Sequence, residues 1–155
     1  MRFCARFEPM AERYVMDNSV LMRAFLPDRE CSDRADKVLS LVLTGDISVI
    51  VPKNAMHEFC GAVTGALRKK GRPVGEAIEA IRKFQRLPIR YVESPELIER
   101  AVELAFAYNK SWYDMYYFAV AEQEGVPVCT ADEKSAQAIP PDRPCRIVLL
   151  TQFPG

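Results

Sequence analysis

The sequence carries one histidine, His57, so a histidine-built metal site has almost no ligands to draw on. It also lacks the G-x-S-x-G nucleophile elbow and the phosphate-cradling G-x-x-x-x-G-K-[ST] loop. Its five cysteines (Cys4, Cys31, Cys60, Cys129, Cys145) form no C-x-x-C pair. That argues against a disulfide framework and against a cysteine zinc site, and it fits reduced thiols. No apolar run approaches the ~18 residues that span a bilayer. The opening MRFCARFEPMAER breaks any signal-like stretch with charge; the expected location is the cytoplasm, with no membrane contact. Charge of one sign is absent too: 21 basic residues balance 21 acidic ones. A surface that grips nucleic acid everywhere is thereby excluded, while a local basic patch is not.

What remains is carboxylates in an ordinary globular composition. The chain has 155 residues, 49% hydrophobic and 27% charged, enough for one domain with its own core. Residues 1–12 read as an N-terminal extension and 13–151 as a single domain. Tyr14 to Met16 predicts a short strand and Ser19 to Phe25 a helix stopped at Pro27. A helix over 33–44 is closed by Gly45, and Ile47 to Val51 is a second strand ended by Pro52. Helices follow over 53–69 and from Pro73 to Arg86, then a short strand over Pro88 to Val92. Ser94-Pro95-Glu96 opens a helix to Asn109, and Ser111 opens another to Glu124. Val126 to Cys129 and Ile147 to Leu150 are strands flanking a short helix over 132–138. Strands that are almost wholly apolar and alternate with helices predict an α/β fold, a parallel sheet covered on both faces.

Four acids stand apart from the solvated majority. Asp17 directly follows the first strand. Glu58 is the only carboxylate between Val49 and Gly75 and lies one turn from Ala55 and Ala62, on a small-residue face. Asp114 is the only charge in Trp112 to Ala121, a segment apolar almost all round. Asp132 follows the strand that ends near Cys129. Carboxylates in apolar surroundings are costly unless paired or bound to a metal. In an open parallel sheet, ligands sit at the carboxyl edge of the strands. Four carboxylates converging there require a cation, and a hard, oxygen-seeking Mg²⁺ or Mn²⁺ is the natural partner. A plainer reading exists for each. Ser111-x-x-Asp114 and Thr130-x-x-Glu133 are capping-box spacings, with Asp132 in a first turn, and Asp17 sits where a helix cap would.

At these residues the sequence resembles PIN-domain nucleases, and in particular VapC-type toxins of bacterial toxin–antitoxin pairs. The matching stretches are YVMDNSVLMRAFL, VPKNAMHEFCGAV and SWYDMYYFAVAEQEGVPVCTADEK, in family order across roughly residues 13–150. The resemblance implies a three-layer α/β/α sandwich around a parallel sheet and a metal-dependent endoribonuclease. It further implies a homodimer neutralised by a cognate antitoxin. By position, Asp17, Glu58, Asp114 and Asp132 match the family's acidic quartet, which would hold Mg²⁺ or Mn²⁺. Ser19 and Thr130 match its hydroxyl residues, which would orient carboxylates or waters. The segment before Tyr14 is longer than the family's usual start.

Substrate contact is expected from local positive charge. Arg68, Lys69, Lys70 and Arg72 form the densest basic cluster, at a helix–helix turn, and Lys110 lies beside Ser111. The cluster reads equally as a solvated helix end. Trp112, Tyr113, Tyr116 and Tyr117 offer stacking surfaces for a base, but aromatics on an apolar helix are core first. Three rivals stay open: an RNA-processing PIN nuclease without an antitoxin, a non-catalytic PIN-like binding module, and a phosphoaspartyl-type site. The last lacks the second aspartate and the late lysine it needs.

Overall fold

The computed structural model describes residues 10–26 and 32–153. Most of the expected N-terminal extension, the stop at Pro27, and Cys4 and Cys31 lie outside the described residues. Five parallel strands form one sheet in the order β3-β2-β1-β4-β5: β1 (Glu12–Met16), β2 (Ile47–Pro52), β3 (Ile89–Val92), β4 (Val128–Thr130) and β5 (Ile147–Leu149). The first strand begins at Glu12, two residues earlier than its apolar run, because the ladder pairs Glu12 with Ile47. The central strand is apolar without alternation because both of its faces are covered; Tyr14, Val15 and Met16 are all buried.

Seven α-helices flank the sheet among the described residues: α1 (Asn18–Phe25), α2 (Ser32–Thr44), α3 (Ala55–Lys69), α4 (Val74–Gln85), α5 (Pro95–Tyr108), α6 (Trp112–Glu124) and α7 (Glu133–Gln137). None of these is long and apolar enough to cross a membrane. The chain moves outward from β1 to β3 through α1–α4, then returns through α5 and α6 to place β4 on the other side of β1. Right-handed crossovers put these two helix groups on opposite faces, which gives the α/β/α layering. α6 packs against β1, β2 and β4 on one side and α5 on the other. Met115 to Ala121 are accordingly all buried, as an all-round apolar helix requires.

Aromatic packing anchors the opposite layer. Phe59 stacks on Phe84 with centroids 4.5 Å apart and meets Phe25 edge-on at 5.5 Å, joining α1, α3 and α4. Phe59 is fully buried and immediately follows Glu58, so the first turn of α3 is fixed in place. Between α5 and α6, Asn109 adopts the left-handed conformation (φ 50°), which asparagine tolerates. The resulting tight turn presents Lys110 and Ser111 at the carboxyl edge of the sheet.

Candidate carboxylate site

Asp17 leaves β1 at the centre of that edge, where the strand order changes direction between β2 and β4. It occupies the N-cap position of α1 but makes no side-chain cap there. Its Oδ2 instead accepts hydrogen bonds from Ser19 Oγ (2.9 Å) and Thr130 Oγ1 (2.8 Å). Ser19 Oγ in turn accepts from the Ala131 amide at 3.0 Å, and Thr130 Oγ1 accepts from the Asp132 amide at 3.1 Å. Both hydroxyls named from the sequence thus tie β1 to the loop after β4. Burial raises the carboxyl of Asp17 above its ordinary range, the two hydroxyl donors pull it down, and the nearby charge of Asp114 pushes it up.

Glu58 sits in the first turn of α3, half-buried, with each oxygen engaged by a different donor. Oε1 accepts from Asn54 Nδ2 at 2.8 Å and Oε2 from Tyr117 Oη at 3.0 Å. Burial lifts its carboxyl to about 7; the Tyr117 hydroxyl opposes this, and the charges of Asp17 and Asp114 add to it. Turning its amide donor to Glu58 leaves Asn54 Oδ1 buried with no hydrogen-bond partner among the described residues, a cost that accompanies holding the carboxylate. Tyr117 is read from the sequence as core first and as a stacking surface second. It is core, and its hydroxyl is also the link between α6 and Glu58; nothing in an apolar helix signals that one tyrosine tip meets a carboxylate.

Asp114 lies in the first turn of α6, whose N-cap Ser111 accepts from the Asp114 amide at 3.1 Å. The carboxylate itself is exposed, and no hydrogen bond holds it among the described residues. Asp132 corrects the expected capping box: β4 runs through Thr130, so Thr130 cannot cap, and Asp132 is the N-cap of α7, accepting from the Ser135 amide at 2.9 Å. That amide bond holds the Asp132 carboxyl below its usual range, helped by the charges of Arg23 and Lys110.

Asp17, Asp114 and Asp132 line one narrow cavity with Lys110, Tyr117 and Thr130. Its volume of about 40 Å³ admits an ion or a few waters. Glu58 reaches its wall through Tyr117. Among the described residues, no three His, Cys, Asp or Glu side chains lie close enough together to hold a metal ion as they stand. Asp17, Glu58 and Asp132 are each bound to separate protein donors. The donor set is nonetheless all oxygen, which suits Mg²⁺ or Mn²⁺ and not a soft metal. Two of its carboxyls are raised by burial and mutual repulsion, which a cation relieves.

The basic residues divide. Lys110 lines the cavity. Arg68 and Lys69 lie in the last turn of α3, roughly 15 Å along the helix axis from Glu58, and Lys70 and Arg72 follow them. Arg72 pairs with Glu76 through two nitrogens, at 2.8 and 2.9 Å. His57 is exposed, while Tyr113 is 57% exposed beside the cavity's helix.

Comparison with known families and structures gives a consistent result. A family profile described as "PIN domain" matches residues 14–139. No curated protein sequence matches significantly. Among solved structures, PAE2754 from Pyrobaculum aerophilum superposes with a TM-score of 0.65 at 19% identity, over 92% of each chain. VapBC2 from Rickettsia felis, bound to a DNA fragment from its promoter, gives 0.63 at 12% identity over 88% of this chain and 98% of that one. The sarcin–ricin-loop-cleaving toxin VapC20 of Mycobacterium tuberculosis gives 0.61 at 17% identity, over 85% of this chain and 99% of that one.

Proposed function

The chain belongs to the PIN-domain family of nucleases, and from that premise we propose that it is a metal-dependent endoribonuclease, the toxin of a cytoplasmic toxin–antitoxin pair. The observation that carries this is the convergence of Asp17, Asp114 and Asp132 on one cavity at the carboxyl edge, with Glu58 bound to its wall. Asp17, Asp114 and Asp132 would hold Mg²⁺ or Mn²⁺, with Glu58 as a further ligand directly or through water. The bound ion supplies Lewis acidity, offsetting phosphate charge and lowering the pKa of water.

The chain's own groups account for the rest. Ser19 and Thr130 fix the Asp17 carboxylate so that it need not reorganise when substrate arrives. Glu58 is held by the Asn54 amide and the Tyr117 hydroxyl, so its carboxylate is oriented before a cation or water arrives. Lys110, on the cavity wall, meets an RNA phosphate. No protein nucleophile is required. The toxin assignment is supported by the VapC20 and VapBC2 likenesses, and includes a cognate antitoxin and a homodimer.

The test is Asp114→Asn, a near-isosteric change at an exposed position. Wild-type protein with Mn²⁺ cleaves RNA; the variant loses at least 100-fold in rate while its melting temperature holds. Equal activity in the variant would sink the assignment. A second reading, a PIN-like module that binds RNA without cutting it, draws on the separation of the carboxylates. Calorimetric titration with Mn²⁺ decides between them: binding that disappears in Asp114→Asn supports the nuclease, and no binding supports the module.

A further inference from the structure

Next to the carboxylate cavity, and sharing Asp132 with it, lies a second, wider one of about 470 Å³. It is bounded by α1, the loop after β4, and the residues that follow β5. Its walls carry Ser19, Arg23, Asp132, Glu133, Lys134 and Thr151. Asp132 lines both cavities, and Ser19 of the second donates to Asp17 of the first, so the two are neighbours.

Arg23 acts at a distance on the Asp132 carboxyl; beyond that, the positive charges of this second cavity are little engaged among the described residues. The Arg23 guanidinium makes one hydrogen bond among the described residues, from Nη1 to the Ser19 carbonyl at 3.1 Å, which leaves most of its five donors uncommitted. Lys134 is exposed and has no ion-pair or hydrogen-bond partner among the described residues. Glu133, the one acid beside them apart from Asp132, accepts from Thr151 Oγ1 at 3.2 Å. A fork of guanidinium donors and an ammonium on the wall of an open cavity match a phosphodiester anion in charge and geometry.

Resting on the nuclease reading above, we infer that Arg23 and Lys134 form a phosphate subsite for single-stranded RNA, holding a backbone phosphate that flanks the linkage to be cut. A carboxylate-lined cavity repels a polyanion. Lys110 in the first cavity and Arg23 with Lys134 in the second offset that repulsion, so the strand can lie beside the acids. This assigns substrate grip to the rim of the site, whereas the Arg68–Arg72 cluster sits at the far end of α3.

The experiment measures binding without cleavage. Fluorescein-labelled oligouridylate of 20 nucleotides is titrated with protein in EDTA across a salt series and followed by anisotropy. The Arg23→Ala/Lys134→Ala double variant is expected to bind on the order of tenfold more weakly at moderate salt. Its log–log salt slope should be shallower by about 0.7, the value for one single-strand phosphate contact. Lys69→Ala/Lys70→Ala should change neither quantity comparably. Lys134→Glu alone, at an exposed position, guards against misfolding and should weaken binding by itself. An unchanged affinity and slope in the double variant overturns the subsite while leaving the nuclease reading intact. If wild-type protein binds no RNA in EDTA, the subsite is overturned as well; calorimetry with Mn²⁺ on the same protein then tells separately whether the carboxylate site stands.

Discussion

Tyr117 decides where the Glu58 carboxylate points. Its hydroxyl and the Asn54 amide take one oxygen each, so Glu58 is held from two sides before any ligand arrives. The Tyr117 bond favours the ionised form, against burial and the charges of Asp17 and Asp114. The sign of the pH effect follows. A metal displaces the proton that Glu58 keeps below about 7, so Mn²⁺ affinity rises as pH passes upward through that value. Tyr117→Phe deletes a donor to the ionised form and pushes the carboxyl further up. The midpoint of the pH dependence of Mn²⁺ binding, followed by calorimetry, should then move upward by roughly half a unit to one unit. A midpoint that stays put would show that the hydroxyl does not act on Glu58.

Among the elements, α6 carries the most chemistry in its first turn and the most burial in the rest. Its start depends on Ser111, which caps the Asp114 amide. Ser111→Ala should cost about 1 kcal/mol and lower the melting temperature by roughly 2–4 °C, read in a thermal melt monitored by far-UV circular dichroism. The elements themselves were legible in the sequence because strands buried on both faces leave unbroken apolar runs, and Ser94-Pro95-Glu96 and Ser111 mark their helix starts directly. The acids were legible for the same reason: Asp17, Glu58 and Asp114 interrupt apolar surroundings. Less legible was anything set by contacts across the sheet. Thr130 and Glu133 have capping-box spacing, yet pairing of Thr130 with Leu149 extends β4 through that residue and passes the cap to Asp132. The use of Thr130 and Ser19 as donors to one carboxylate depends on a hydrogen bond spanning 113 positions, which local pattern does not encode. Arg23 escaped notice because a single arginine at the end of a short helix looks like a dipole partner; only the cavity beside it says otherwise.

At the scale of the whole molecule, one apolar stripe is left exposed by the described residues. Ile98, Val102 and Phe106 recur every fourth residue along α5, and Val102 and Phe106 are 45% and 86% exposed. The proposed homodimer supplies a partner for it: an isologous contact lays the same stripe of each protomer against the other. Phe106→Glu places a charge in that contact and should convert a dimer into a monomer in size-exclusion chromatography with light scattering, while the melt stays cooperative. A dimer that survives the change uses another face.

The position of β1 between β2 and β4 also sets when the site can exist. Asp17 is made early, but its partner Thr130 and the acids Asp114 and Asp132 come from the last third of the chain, and β4 must dock on β1 before any of them meet. A nascent chain that has yielded β1, β2 and β3 still lacks α6, which covers β1 and β2, and it owns only two of the four acids. On the proposed reading, the enzyme is inert on the ribosome until β4 and Asp132 have emerged, and a product terminated before them poses no threat to the RNA of the cell that makes it.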